Sequence, residues 1–312
     1  MSCFFSVVIP LYNKEKYILN TLTSVLNQTF QDFEIIIIDD GSTDDSVEII
    51  ETIVDHRITL IKQPNQGASI ARNNAIKASK SQYIATLDAD DIWENNHLQA
   101  LKACIESIEN AVLYCTNYKI KRLGGLITPA AFNFDYQDHC LIIQDFFKAN
   151  TINFIPTSSS VAFKKEDFLK LNGYNTNLRT GQDIDLWIKF GLLGKVAFNP
   201  KITMTYNLYD TLSLSNSTFN DDRYLLINNY KTEEYDNPSL KHYLDINRYA
   251  LAIRYKLNND EYNFKKIKGE IDYSNLNSKQ KLLLKLPKTV LNILKNIQHF
   301  LIKNNIYLSA FK

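Results

Sequence analysis

The sequence predicts an α/β fold, a mainly parallel sheet flanked by helices and followed by a C-terminal helical extension. Three observations predict it. Apolar runs of strand length alternate with stretches of helical period through the first 120 residues. The apolar fraction, 45%, is ample for a packed core. From about Tyr224 onward the chain is mostly of helical period, with Lys and Asn on its polar faces.

In order, Phe4–Leu11 reads as a strand, and Tyr17, Ile18, Leu22 and Val25 recur at helical spacing. Phe33–Ile38, rich in β-branched Ile, is a second strand. Ser46–Val54 reads as a helix, Ile58–Ile61 as a strand, Ala68–Ala78 as a helix and Tyr83–Leu87 as a strand, with a helix from about Asn95 to Ile108. Beyond Ala111 the pattern loosens. Val112–Asn117 and Ser158–Phe163 read as strands and Asp183–Leu193 as a helix, while Gly124-Gly125 and Asn133–His139 signal turns. A boundary is expected near Leu212–Phe219, rich in Ser, Asn and Thr. This gives a first domain over 1–215, with halves 1–120 and 121–215, and a helical region over 216–312.

Net charge is +1, which argues against a dedicated nucleic-acid binder. Residues 1–100 hold 14 acidic and 7 basic side chains, a net −7 that leaves +8 for the rest. An acidic first third suits a metal site, and a basic remainder suits an anionic partner. Cys3, Cys104, Cys115 and Cys140 form no CxxC pair, and no His stands at zinc spacing from them. A reducing, cytoplasmic setting is the expectation. The apolar start lacks a basic flank and contains Pro10, so it reads as a strand, and no later run has the ~18 apolar residues of a spanning helix.

Ligands of parallel sheets sit beyond the carboxyl ends of the strands, so the polar residues there carry the argument. The first strand ends in Ile9-Pro10-Leu11-Tyr12-Asn13, where Pro10 is expected to end the ladder and Tyr12 can stack on a flat ring. After the second come Asp39-Asp40-Gly41-Ser42-Thr43-Asp44; one helix cap does not need both acids, and a carboxylate here can accept from a nucleobase N–H. In Asn65-Gln66-Gly67-Ala68-Ser69-Ile70-Ala71-Arg72-Asn73, Arg72 falls early in a helix, against the dipole, unless it meets an acid or a phosphate. Leu87-Asp88-Ala89-Asp90-Asp91 places three acids in four residues, which repel one another unless a cation or hydrogen bonds compensate; capping the next helix accounts for Asp91 more readily than for all three. In Gly181-Gln182-Asp183-Ile184-Asp185-Leu186-Trp187, Asp183 and Trp187 share a helix face, and a carboxylate there can take a proton from an attacking hydroxyl; a cap followed by a core Trp is the plainer alternative.

In this order, the motifs VVIPLYNKEKYI, SVLNQTF, FEIIIIDDGSTDDS, NQGASIARNNAI and LDADD resemble those of the inverting glycosyltransferase family with the GT-A fold, often called family 2. The resemblance covers about residues 4–207. It implies a Rossmann-like GT-A domain that transfers a sugar from a nucleotide-diphosphate sugar, commonly UDP-linked, in bacterial surface polysaccharide assembly. It also implies roles. Tyr12 and Asp40 would hold the base, with backbone contacts from Pro10 and Leu11, and Arg72 would lie on the nucleotide side. Asp88, Ala89 and Asp90 would form the DxD segment, with Asp90 and Asp88 holding Mn2+ or Mg2+. Asp183 would be the catalytic base, and Gln182 and Trp187 would face the acceptor. The family usually has Glu at the position of Gln182, which bears on acceptor preference. The processive synthases of the family carry QxxRW and membrane spans; this chain shows neither, so the resemblance implies addition of single sugars to a glycan or lipid-linked acceptor.

Residues 279–312 hold seven lysines and no acid, with Leu283, Val290 and Ile297 at seven-residue spacing and Pro287 starting or kinking a helix. Peripheral contact with the inner face of the membrane, a homodimer, and a helix packed on its own chain all remain open. Three other functions compete. A haloacid-dehalogenase-like phosphohydrolase needs an Asp on the first strand, where this chain has Pro-Leu-Tyr-Asn. A sugar nucleotidyltransferase wants a Gly-rich basic loop there. A catalytically silent nucleotide-sugar scaffold would not need Asp183.

Overall fold

A computed structural model describes residues 3–208, 219–307 and 310–311. Its strands are β1 Phe5–Leu11, β2 Phe33–Asp39, β3 Ile58–Lys62, β4 Tyr83–Thr86, β5 Ile92–Trp93, β6 Leu113–Lys121, β7 Ile127–Pro129, β8 Leu141–Ile142, β9 Val161–Lys164 and β10 Val196–Asn207. Its α-helices are α1 Ile18–Leu26, α2 Ser46–Glu51, α3 Ala68–Ala78, α4 His97–Ser107, α5 Phe146–Ala149, α6 Lys165–Lys170, α7 Gln182–Leu193, α8 Asn220–Asn228, α9 Glu233–Asp236, α10 Pro238–Leu257, α11 Glu261–Gly269, α12 Ser278–Lys285 and α13 Lys288–Lys303. The chain divides into two compact units.

The first unit gathers Met1–Ile120, Asp135–Gln144 and Ile155–Asn207. Its sheet runs in the order β3-β2-β1-β4-β9-β6-β10-β5, and β8 pairs with β10. Strands β3, β2, β1 and β4 are parallel, the half that the βα alternation predicts. The other half is antiparallel where β9 meets β4 and β6 and where β5 and β8 meet β10. Val7, Val8, Ile9 and Ile35–Ile38 are buried, as strands covered on both faces require. Each such side chain contributes about 1.5–3 kcal/mol over exposure. Ile18, Leu22 and Val25 of α1 are buried as their spacing predicts.

Three local expectations change. β1 runs through Pro10, which stands opposite Ile38. β4 pairs only with Phe5–Val8, so Pro10 lies where β1 has lost that neighbour, and the missing N–H costs no bond on that side. Helix α2 stops at Glu51 rather than Val54, whose side chain is fully in solvent. Nothing in the sequence period predicts β10, because Asn199-Pro200 interrupts its pattern.

The second unit comprises Lys121–Phe134, Asp145–Phe154 and Leu208–Lys312. Its centre is α10, opened by the Asn237 cap and Pro238, and α8, α11, α12 and α13 pack on it. Pro287 caps α13, and Asn277 and Gln280 form a capping box on α12. Helix α13 exposes Ile293, Leu294, Ile297 and Phe300. Among the described residues, no helix is long and apolar enough to cross a membrane. Of the expected boundary Leu212–Phe219, residues 212–218 lie outside the described residues.

Candidate active site

The parallel strands bring their carboxyl ends to one edge of the first unit. Tyr12, just past β1, is 47% exposed, whereas Leu11 is buried. Asn13 adopts the left-handed conformation, φ 51°. Its N–H donates to Ser42 Oγ (3.0 Å) and its Oδ1 accepts from the Thr43 N–H (2.8 Å), tying the loop after β1 to the loop after β2. Asp39 accepts from the Ser42 N–H (3.2 Å). Asp40 is buried and organises the loop after β3. Its Oδ1 accepts from Gln63 Nε2 (2.7 Å) and the Gln66 N–H (2.9 Å), and its Oδ2 accepts from the Gly67 N–H (2.8 Å). Gly67 sits at φ 92°, where a Cβ would strain the backbone. The two acids therefore each close a turn, which explains why both are present.

The three acids after β4 do not cap the next helix, since α4 begins at His97 after Asn96. Asp88 receives Arg72 Nη2 on its carboxylate, and its own N–H donates to Ser159 Oγ (3.0 Å). Asp90 Oδ2 lies 2.7 Å from Lys14 Nζ. Ala89 is buried, and its carbonyl accepts from Thr21 Oγ1 (3.0 Å). Asp91 is buried and accepts from the Asn207 N–H (2.8 Å). Burial first, then the charges of Asp90 and Asp88, push its carboxyl pKa well above the usual range.

Arg72 meets the acid its helix position calls for. It is 7% exposed, bonds Asp88, and lies over the Tyr174 ring at 5.5 Å. Its Nε and Nη1 are buried without a hydrogen-bond partner. Burial opposes its charge, but Asp88, Tyr174 and Asp183 outweigh that, so the guanidinium stays charged. Asp183 lies in the first turn of α7, behind Gly181 at φ 76°. It keeps some exposure, yet dense surroundings raise its carboxyl pKa; Asp88 adds to the rise, while the Ile184 N–H and Arg72 oppose it. Asn73 Nδ2 donates to the Tyr174 carbonyl and Asn73 Oδ1 accepts from the Tyr174 N–H, both at 3.0 Å, fixing the approach to α7 against α3. Gln182 is buried, and its Oε1 has no partner. Trp187 is 3% exposed and stacked on Phe190, so it is a core residue offering a ligand little surface.

The model of glycosyl transferase family 2 matches residues 6–171, more than half of the chain. The chain belongs to glycosyl transferase family 2. It is 28% identical over 246 residues to a chondroitin synthase of Pasteurella multocida, covering 74% of this chain and 24% of that protein. It is 37% identical over 128 residues to the glycosyltransferase GlyG of Streptococcus pneumoniae, covering 40% and 42%. The chain thus spans less than half the length of these relatives. Among solved structures, Staphylococcus aureus TarS 1–349 superposes with a TM-score of 0.60 at 18% identity, covering 86% of this chain and 90% of that one. That likeness bears out the GT-A-like fold.

Asp88 and Asp90 are the metal ligands that the sequence resemblance implies. Among the described residues no group of three or more His, Cys, Asp or Glu could hold a metal ion alone. Mg2+-type sites use one or two carboxylates and take their remaining oxygens from substrate phosphates and water. Asp88 and Asp90, hard oxygen donors partly open to solvent, fit such an incomplete set.

Sequence reasoning missed Lys14 and Tyr206. Lys14 directly follows the motif Ile9-Pro10-Leu11-Tyr12-Asn13, so its position in the sequence carries the signal. Tyr206 belongs to the unanticipated β10. Burial, then Asp91, Asp183 and Asp88, raise its phenol pKa, so it stands among the acids as a neutral group.

Proposed function

We propose that this family 2 chain transfers one sugar, with inversion, from a UDP-sugar to a hydroxyl of a glycan or lipid-linked acceptor in bacterial surface polysaccharide assembly. The observation that carries the reading is one electrostatic cluster at the strand ends: Arg72 is acted on by both Asp88 and Asp183, the first from the DxD segment and the second from α7. Two further findings support it. Relatives include chondroitin and hyaluronan synthases, and one of the TarS structures is a complex with UDP-GlcNAc.

Tyr12, exposed beside the Asp40 loop, stacks on the uracil, and the backbone of Pro10 and Leu11 lines its edge. Arg72 carries positive charge toward the diphosphate. Asp88 and Asp90 would hold Mn2+ or Mg2+, with Ala89 between them; the chemistry such a cation supplies is neutralisation of charge on the departing diphosphate. Lys14 yields its hold on Asp90 when donor binds. Asp183 takes the proton from the acceptor hydroxyl, whose oxygen forms the new bond to the anomeric carbon. The bond from that carbon to the diphosphate oxygen breaks, and its electron pair leaves with the nucleotide. A raised pKa makes Asp183 a stronger base than an ordinary carboxylate, provided it is deprotonated. Gln182 lies beside it on the acceptor side, with Trp187 supporting that wall from the core.

Release of UDP only when acceptor is present, with a one-to-one gain of glycosylated product, distinguishes this transferase from a silent scaffold. Donor binding without any acceptor-dependent UDP release would overturn it. The exposed apolar stripe of α13, in a stretch with seven lysines and no acid, also supports peripheral contact with an anionic membrane. Cosedimentation with anionic vesicles should be lost in Ile297→Asp/Phe300→Asp; unchanged cosedimentation would remove that contact.

A further inference from the structure

The second unit contains a buried arginine that no acid among the described residues neutralises. Arg122 follows β6 in an extended conformation, and its backbone is pinned by its N–H to the Leu126 carbonyl (2.7 Å) and its carbonyl to the Gly125 N–H (3.1 Å). Gly124 and Gly125, at φ 77° and 84°, make the turn that lets the chain fold back. A Cβ on Gly124 would meet Lys303 Cα at 3.6 Å, so α13 lies close against this turn. Just beyond α13, Tyr307 places its ring 3.7 Å from the Arg122 guanidinium carbon. Arg122 is 7% exposed, and among the described residues its one side-chain hydrogen bond is a long one, from Nε to Thr128 Oγ1 at 3.4 Å. Among the described residues no carboxylate pairs with it. Buried charges in proteins are ordinarily paired, so this one invites a partner from outside.

The guanidinium opens on a cleft of about 280 Å³ within the same unit. Pro129, Ala131 and Ile152 give it an apolar wall, and Asn153 also lines it. Asn153 Oδ1 is held by the Ala131 N–H (2.9 Å), which fixes the amide; among the described residues no hydrogen bond from its Nδ2 accompanies this one. The stretch 273–312, which contributes Tyr307, has seven lysines and no acid. A planar guanidinium braced on one face by an aromatic ring, beside an amide donor in a basic setting, matches the two oxygens of a carboxylate or phosphate. The apolar wall and the volume suit the single sugar ring that carries such a group.

We propose that the Arg122–Tyr307 cleft binds an oxyanion-bearing sugar, through the carboxylate of a sugar acid or the phosphate of a sugar phosphate. The inference rests on residues of the second unit alone and does not depend on the roles given to Asp183 or the DxD segment. The full chain is titrated with glucuronate, glucose 6-phosphate and neutral glucose by calorimetry or NMR. One of the two charged sugars is expected to bind about tenfold or more tighter than glucose, the scale of one charge-assisted hydrogen bond. The sugar that binds tighter identifies the oxyanion. Arg122→Gln should abolish the preference and Arg122→Lys should restore part of it, which separates loss of charge from loss of fold. Equal affinity for charged and neutral sugars, or a preference that survives Arg122→Gln, overturns the proposal.

Discussion

Arg72 in the first unit and Arg248 in the second are both buried among acids, and their surroundings differ in a telling way. Arg248, 1% exposed, is gripped from two sides: Glu234 takes Nη1 and Nη2 at 2.8 and 2.7 Å, and Asp245 takes Nη1 at 3.0 Å. Asp245, fully buried, also accepts from Lys241 Nζ, the Asp272 N–H and Asn275 Nδ2. Even the remaining Nε faces Glu270 Oε2 at 4.0 Å. That network is nearly closed: only the Arg248 Nε and the Glu270 Oε2 facing it lack a hydrogen bond. Arg72 has one carboxylate on Nη2 and two donor positions unmatched, while Asp91 and Asp183 nearby carry raised pKa values. Acids pushed toward neutrality beside an under-used guanidinium suit the proposed ligand site, whereas acids held by several donors suit a strut.

The contrast can be broken by mutation. Arg248→Met leaves buried carboxylates uncompensated, so it should cost about 3–5 kcal/mol, read from the denaturant midpoint. A cost near zero would mean the nearly closed network is not a strut. Asp90→Ala, at a partly exposed pair, should cost only about 1 kcal/mol in the unliganded chain. Its effect should appear with donor. UDP-sugar with Mn2+ at a hundredfold excess over Kd should stabilise the native chain by about 2.7 kcal/mol, and most of that gain should vanish in Asp90→Ala. An unchanged ligand-induced shift in melting temperature would take Asp90 out of the site.

The fold was legible where physics is local. Strands β1 and β2 announce themselves as apolar runs bounded by turns, and α1 by its buried stripe. β10 was not legible, because its 12 residues are held by pairing with distant strands and its pattern is broken at Asn199-Pro200. In the site, clustered acids pointed to the strand ends, but sequence could not show that Asp40 braces a loop, that Trp187 is core, or that Lys14 and Tyr206 join the acids. Those facts depend on which loops the sheet order brings together.

The smallest expected effect is on pH dependence. In the proposed role Asp183 acts deprotonated, and its raised pKa should place the acid limb of transfer above the ordinary carboxylate value of about 4. The charged and titrating groups around it are Arg72, Asp88, Tyr174 and Tyr206. Arg72 opposes the rise, so Arg72→Gln should move the limb further up in a pH–rate profile. The stability sign runs the other way: the fold favours protonated Asp183, so its contribution is full below the unfolded carboxyl value and is lost as pH rises through the raised one. A limb unmoved by Arg72→Gln would mean that the two groups do not interact as described.

The central claim is that the open cluster is catalytic and that Asp183 is its base. The most direct measurement compares Asp183→Asn with the native chain for both donor affinity and acceptor-dependent UDP release. Donor affinity should stay within about twofold, while release falls by roughly 10²–10⁴. Release within a few-fold of native would contradict the account.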